Sequence, residues 1–137
     1  MAEFSRTFMT PKESPPPVGY SHIAKVSNAT LIYLAGQVPM DASGTLVGPG
    51  DFKAQAEQVF RNIRIALNAA GATPHDIIKL NYYVVASVDP SVRTAIRGIR
   101  DQYVNTASPP ASTLVVVAGL AQPGWLIEIE AVAAIAG

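Results

Sequence analysis

A long amphipathic helix is the sequence feature that most constrains how this chain can fold. After Asp51, apolar residues recur at steps of three and four, the spacing of one helix face: Phe52, Ala56, Val59, Phe60, Ile63, Leu67 and Ala70. Asp51 is a favourable N-cap residue, and Gly71 is favourable just beyond a helix end. Because Lys53, Glu57 and Arg61 occupy the other side, the helix must bury one face against a second layer of structure.

Five segments rich in branched and aromatic residues predict the strands of that second layer. A hairpin is predicted for Ser21–Val26 and Thr30–Ala35, because only three residues with small side chains separate these segments. Ile77–Ala86 predicts a long strand, and Trp125–Ile135 predicts the last one. Between them, Thr113–Ala118 has the composition of a strand that is buried on both faces.

A second helix is predicted from Pro90, because Asp89 can cap it and proline is favoured at the first helical position. Its apolar stripe comprises Val92, Ala95, Ile96, Ile99 and Tyr103. The order β-β-α-β-α-β-β predicts an α+β domain over residues 19–137, with one mixed sheet and two helices on one face. Residues 1–18 hold four prolines and are predicted to form an extended or partly disordered tail.

Composition predicts self-association and argues against a polyanionic partner. Charged residues make up 15% of the chain, against about 25% in an average domain. Hydrophobic residues make up 49%, and the second face of the sheet has no helix to cover it, so we expect a homo-oligomer. Ten basic and ten acidic residues cancel, which disfavours nucleic acid and anionic membranes as partners.

The sequence lacks the signals of several kinds of functional site and targeting segment. The chain has no cysteine, so cysteine-ligated zinc and thiolate nucleophiles are excluded, and no metal is predicted. Neither a secretory signal nor a membrane-spanning apolar run is recognisable, and we therefore expect a cytoplasmic protein.

The residues that bear chemistry are two glutamates and a histidine. Glu128 and Glu130 lie two apart in the last predicted strand and therefore share a face. Either one of them lines a pocket and serves as a general base, or they form ion pairs or face solvent. His22 could shuttle a proton in a cleft or serve as a hydrogen-bonded strand residue.

Several short motifs in a fixed order are more specific than any one residue. They are Gly19-Tyr20-Ser21-His22, Ala35-Gly36-Gln37-Val38-Pro39, Ala69-Ala70-Gly71-Ala72, Pro110-Ala111-Ser112-Thr113 and the strand 127–133. Together they resemble the RidA/YjgF family of imine and enamine deaminases, from about residue 19 to residue 133. The resemblance implies a chorismate-mutase-like α+β fold, a homotrimer with small-molecule sites between subunits, and hydrolysis without metal or organic cofactor.

The same resemblance implies roles for individual residues. Glu128 corresponds to the catalytic glutamate that orients water, while Tyr20 and Gly36 correspond to residues of the ligand site. Ser112 stands where the family carries a carboxylate-binding arginine, and a hydroxyl cannot replace a bidentate guanidinium. Ile96 stands where many active members carry an asparagine.

The residues at positions 96 and 112 predict a pocket with an altered ligand preference. We expect Ser112, Thr113 and Tyr20, with backbone amides near Gly36 and Leu114, to hold a neutral or less acidic ligand. His22 and Ile96 are further candidate pocket residues.

The leading hypothesis is a small hydrolase that acts on a C=N or related activated bond, with Glu128 assisting water. The alternative is a non-catalytic ligand-binding or regulatory trimer that uses the same cleft. A ribonuclease, an activity ascribed to some relatives, is disfavoured by the neutral net charge.

Overall fold

The computed structural model describes residues 2–137 as six strands and two helical segments. The strands are β1 (Ser5–Met9), β2 (Ile23–Ser27), β3 (Ala29–Tyr33), β4 (Ile77–Val85), β5 (Ala111–Val117) and β6 (Ile127–Ala136). The first helix is α1 (Phe52–Ala69); the second consists of α2 (Pro90–Arg93) and α3 (Ala95–Arg100). A 3₁₀ turn, Pro74–Asp76, leads into β4. The α+β class is as predicted.

The strands form a mixed four-stranded sheet and a separate two-stranded sheet. In the larger sheet the order is β3-β6-β4-β5, with β4 and β5 parallel and the other pairs antiparallel. The smaller sheet consists of β1 and β2, which are antiparallel. The prediction of one sheet with five strands therefore missed a sixth strand and a division between two sheets.

The predicted hairpin between the segments 21–26 and 30–35 is wrong. A single residue, Asn28, separates β2 from β3, whereas the tightest common hairpin loops have two residues. Asn28 has a positive φ of 53°, which turns the chain sharply. As a result β2 pairs with β1, and β3 pairs with β6.

The predicted tail is ordered in part. Ser5–Met9 is extended, as expected, but it is hydrogen-bonded to β2 as a strand. Arg6 joins the small sheet to the rest of the chain, because its Nη1 lies 2.6 Å from Asp76 Oδ1 and donates to the Ala134 carbonyl at 3.0 Å.

The core lies between α1, α3 and one face of the four-stranded sheet. Phe60, Ile63 and Leu67 of α1 are fully buried, as are Leu80 and Val84 of β4 and Ile127 and Ile129 of β6. Phe60 also stacks on Tyr103, with ring centroids 5.4 Å apart. Periodicity therefore predicted the buried face of α1 correctly from Phe52 to Leu67, whereas Ala70 lies just beyond the helix end and is exposed.

Strand β5 departs from its prediction. It lies at the sheet edge, paired only with β4 in the large sheet, and Leu114, Val115 and Val116 are 40–48% exposed. The expectation that this strand is buried on both faces is wrong for a single chain. Three adjacent exposed aliphatic residues leave an apolar edge.

The helix cap supplies a direct test of the fold. Asp51 accepts a hydrogen bond from Ala54 N at 3.0 Å, so Asp51→Ala should lower the free energy of unfolding by about 1 kcal/mol. Urea unfolding followed by circular dichroism measures this loss. Asp51→Asn, which retains a capping oxygen, is the control, and an equal loss in both variants would contradict the capping role.

Candidate active site

A cavity of about 530 Å³ lies between the start of β5, the second helix and the segment that precedes β2. Its lining contains Val18, Tyr20, Tyr82, Arg93, Thr94, Ile96, Arg97, Arg100, Ser112 and Leu114. We refer to it as the helix-side cavity. Four predicted site residues therefore meet here, namely Tyr20, Ile96, Ser112 and Leu114.

Two local features shape this cavity. Ser21 N donates to the Pro110 carbonyl at 3.2 Å, and Ser21 forms a parallel bridge with Ala111, which brings Tyr20 beside Ser112. On the opposite wall, the Thr94 hydroxyl donates to the Ser91 carbonyl at 2.7 Å. Such back-bonding bends helices, and Thr94 is where α2 ends and α3 begins.

Arg100 is the most unusual residue of the cavity, because it is a cation that is only 7% exposed. Its Nε donates to Asp101 Oδ1 at 3.0 Å, yet its Nη2 is buried and has no hydrogen-bond partner within residues 2–137. A Cβ at Gly19 would overlap Nη2. Glycine at position 19, where φ is +73°, therefore admits the guanidinium.

Tyr82 supplies a second unsatisfied donor beside Arg100. Its hydroxyl is buried without a hydrogen-bond partner in the described part of the chain. Burial raises the pKa of this phenol above its usual value, although the nearby positive charge of Arg100 opposes the rise. The hydroxyl therefore remains protonated beside the Arg100 guanidinium.

Glu128 and Glu130 lie on the other face of the sheet. Glu128 is opposite Tyr83 and Glu130 is opposite Asn81, whereas the intervening Ile129 is buried toward the helices. Glu130 accepts hydrogen bonds from the Tyr83 hydroxyl and, at 3.3 Å, from Asn81 Nδ2. The shared face predicted from the alternation of the strand is therefore present.

Glu128 is the free carboxylate of the two. No side-chain hydrogen bond or ion pair engages it among residues 2–137. The carboxylate packs against Gly36, where a Cβ would overlap it. Partial burial raises the pKa of the Glu128 carboxyl, and the negative charge of Glu130 raises it further. Of the alternatives open from the sequence, an ion pair at Glu128 is therefore not formed.

The remaining predicted residues lie outside the helix-side cavity. Thr113 is on the face of Glu130, where its hydroxyl accepts from Lys79 Nζ at 2.8 Å. The Nε2 of His22 donates to the Pro15 carbonyl at 2.8 Å, and its ring lies 5.4 Å from that of Tyr20. Within one chain, the predicted site is thus divided between the cavity and the Gly36–Glu128 pair.

Sequence reasoning missed Arg93, Arg97, Arg100 and Tyr82 as cavity residues. One signal was present for Arg100, because it follows Ile96 by four residues and therefore shares the buried helix face. An arginine on an apolar stripe indicates either a buried ion pair or a binding role.

Comparison with known proteins places this geometry in a family. The family model described as endoribonuclease L-PSP matches residues 11–135. A RutC family protein of Pyrococcus abyssi is 34% identical over 89% of this chain and 91% of the relative. The chain belongs to the RidA/YjgF family.

A solved structure and a further named relative are also similar to this chain. The structure of a conserved Rid family protein, YyfB, from Yersinia pestis superposes with a TM-score of 0.85 at 36% identity, covering 95% of this chain and 98% of that one. A 2-iminobutanoate/2-iminopropanoate deaminase of Dermatophagoides farinae is 30% identical over 74% of this chain and 76% of its own length. The resemblance inferred from the motifs is confirmed.

Two further observations concern residues 2–137. No helix in this range is both long and apolar enough to cross a membrane. The same residues contain no group of three or more histidine, aspartate or glutamate side chains arranged to hold a metal ion.

The electrostatic effect of Glu130 on the Glu128 pKa can be measured. Glu130→Gln removes the charge that helps to raise the Glu128 pKa, so this pKa should fall while remaining above its usual value because of burial. Carbon-detected NMR titration of the glutamate carboxyls measures the shift. Glu57→Gln, an equal charge change on the exposed side of α1, should leave the Glu128 pKa unchanged, and a similar fall in both variants would contradict the coupling.

Proposed function

We propose that this RidA/YjgF protein is a small hydrolase that converts an imine or enamine to a carbonyl compound and ammonia. The observation that carries the proposal is the free Glu128 carboxylate, which is partly desolvated, unpaired and packed against Gly36. A general base needs accessible lone pairs and a pKa near the operating pH. The lone pairs of Glu130 are less accessible, because its carboxylate accepts hydrogen bonds from Tyr83 and Asn81.

The proposed reaction adds water across the C=N bond. Glu128 accepts a proton from water as the water oxygen bonds to the imine carbon, and the electron pair of the C=N double bond passes to nitrogen, which takes up a proton from solvent. The resulting carbinolamine collapses: its hydroxyl releases a proton to solvent, C=O forms, and the C–N bond breaks. Glu128 returns its proton to the leaving nitrogen, which departs as ammonia, so the protein ends unchanged.

Assembly completes the proposed site. In one chain, Glu128 and the helix-side cavity lie on opposite faces of the sheet, and a small substrate cannot contact both. A homotrimer in which the Glu128 face of one copy meets the cavity of the next would bring the halves together. The exposed aliphatic edge of β5, which borders the cavity at Leu114, supplies apolar surface for such a contact.

The assembly is tested by sedimentation equilibrium at micromolar concentration. We expect one species at three times the chain mass of 14.4 kDa, because exposed aliphatic strand edges are removed from water on association. A single species at the monomer mass would contradict the proposed trimer.

The chemistry is tested with Glu128→Gln, which retains shape but removes the base. Imine is generated from 2-aminobutanoate by an amino acid oxidase, and an added amine traps what the protein has not hydrolysed. Turnover should fall by about 10²–10⁴-fold, the usual contribution of a general base. Glu57→Gln is the matched charge control.

The same experiment separates hydrolysis from the binding-only alternative. The variant should retain the sedimentation profile of the parent protein, so that the lost turnover is chemical. If the parent protein does not accelerate imine loss above the spontaneous rate, the hydrolase proposal fails and a ligand-binding trimer remains. If Glu128→Gln unfolds while turnover per folded molecule is unchanged, the carboxylate has a structural role.

A further inference from the structure

We propose that Tyr83 is a positioning residue of the hydrolase: through Glu130, it keeps Glu128 as the carboxylate that is free to take a proton from water. This inference rests on the proposed function and deepens it, because it explains how one of two neighbouring glutamates is selected as the base. The role needs no contact between Tyr83 and the substrate. It depends on the hydrogen bond that the Tyr83 hydroxyl donates to Glu130.

Three residues of β4 lie on the face of the sheet that carries the two glutamates. Lys79, Asn81 and Tyr83 alternate along this strand, and the antiparallel register places Tyr83 opposite Glu128 and Asn81 opposite Glu130. Directly opposite residues of an antiparallel pair have Cβ atoms about 4.5–5.5 Å apart. Each glutamate therefore has one polar side chain of β4 directly beside it.

The Tyr83 hydroxyl bonds to the diagonal glutamate and not to the one directly opposite. It donates to Glu130 Oε1, and Asn81 Nδ2 donates to the same oxygen at 3.3 Å. Diagonal neighbours are within reach of aromatic and other long side chains. Both donors therefore hold Glu130, and among residues 2–137 neither one engages Glu128.

The two donated hydrogen bonds affect both carboxylates. They occupy lone pairs of Glu130 and hold its negative charge beside Glu128. That charge adds to partial burial in raising the pKa of Glu128, and a higher pKa makes a carboxylate a stronger base. Tyr83 thus fixes the charge next to the base and leaves the base itself unoccupied.

The Tyr83 phenol suits this role because it stays protonated. Its hydrogen bond to Glu130 raises the pKa of Tyr83 most, followed by partial desolvation and by the negative charges of Glu130 and Glu128. A phenol between two carboxylates therefore remains a donor throughout the pH range in which glutamates titrate.

Few other titratable groups face this pair in the described part of the chain. Lys79 Nζ donates to the Thr113 hydroxyl at 2.8 Å and forms no ion pair with either glutamate. Tyr33 of β3 is 73% exposed, and neither β5 nor the segment 34–37 contains an acidic or basic residue. The two glutamates are therefore the only acidic side chains that β3, β4, β5 and β6 contribute.

The test measures the Glu128 pKa by carbon-detected NMR titration, which needs no catalytic step. Tyr83→Phe keeps the ring but removes the donor, so Glu130 is no longer fixed and the Glu128 pKa should fall toward its ordinary value. In the Glu130→Gln background the same substitution should cause no further fall, because the hydroxyl acts through the Glu130 charge. An unchanged or higher Glu128 pKa in Tyr83→Phe would overturn the proposal, as would an equal fall in both backgrounds.

Kinetics show whether this coupling acts in hydrolysis. A general base works when it is deprotonated, so kcat/KM rises with pH through the Glu128 pKa, and Tyr83→Phe should move this rise to lower pH. On the high-pH plateau kcat should fall by about threefold, because the base is weaker, while KM stays the same. A purely structural role would reduce the amount of folded protein and leave the pH profile in place, and that result would also overturn the proposal.

Tyr103→Phe is the matched control for both measurements. It removes a hydroxyl from a ring that stacks on Phe60 in the helix layer, so the Glu128 pKa and the pH profile should not change. An equal shift in Tyr103→Phe would contradict the role of Tyr83. If Tyr83→Phe does not fold, Asn81→Ala, which removes the other donor to Glu130, takes its place with the same expected direction.

The two measurements distinguish this inference from the hydrolase proposal. A Glu130-dependent fall of the Glu128 pKa, in a protein that does not hydrolyse imines, would support the positioning by Tyr83 while the hydrolase proposal fails. Imine hydrolysis with a Glu128 pKa and a pH profile that Tyr83→Phe does not change would support the hydrolase proposal and overturn this inference.

Discussion

The register of β6 between β3 and β4 is the constraint on which the rest of the structure depends. It directs Ile127 and Ile129 toward the helices, where both are fully buried, and thereby directs Glu128 and Glu130 to the opposite face. A slip of one residue would exchange these faces and bury two carboxylates in the apolar core. The burial of the isoleucines thus places the Glu128 carboxylate on the opposite face of the sheet.

On each face of this sheet, some polar groups are hydrogen-bonded and a neighbouring group has no partner in the described part of the chain. Glu130 is held by Tyr83 and Asn81, whereas its neighbour Glu128 is left unpaired. On the helix side, Asp101 holds one nitrogen of Arg100 and leaves another without an acceptor. In each case a hydrogen-bonded group lies beside a group that has no hydrogen-bond partner within residues 2–137.

How well the sequence predicted a feature depends on how far apart along the chain the residues that determine it lie. The first helix, its Asp51 cap and the shared face of the two glutamates were predictable, because periodicity and capping involve residues within a few positions of one another. The pairing of β2 and β3 was not, because β2 pairs instead with β1, in the segment expected to be a tail, and β3 pairs with β6 at the other end of the chain. The exposure of β5 likewise follows from its place at the sheet edge.

By itself, the sequence determined the α+β class, the family, and the shared strand face of Glu128 and Glu130, since these rest on local pattern and on ordered motifs. Only the tertiary structure decided where the predicted site residues meet. It placed Tyr20, Ile96 and Ser112 around one cavity, moved Glu128 to the other face with Gly36, and brought Arg100 into the cavity against Gly19. The physical reason is that a side chain's burial and charge environment depend on neighbours from other elements, which no local pattern encodes.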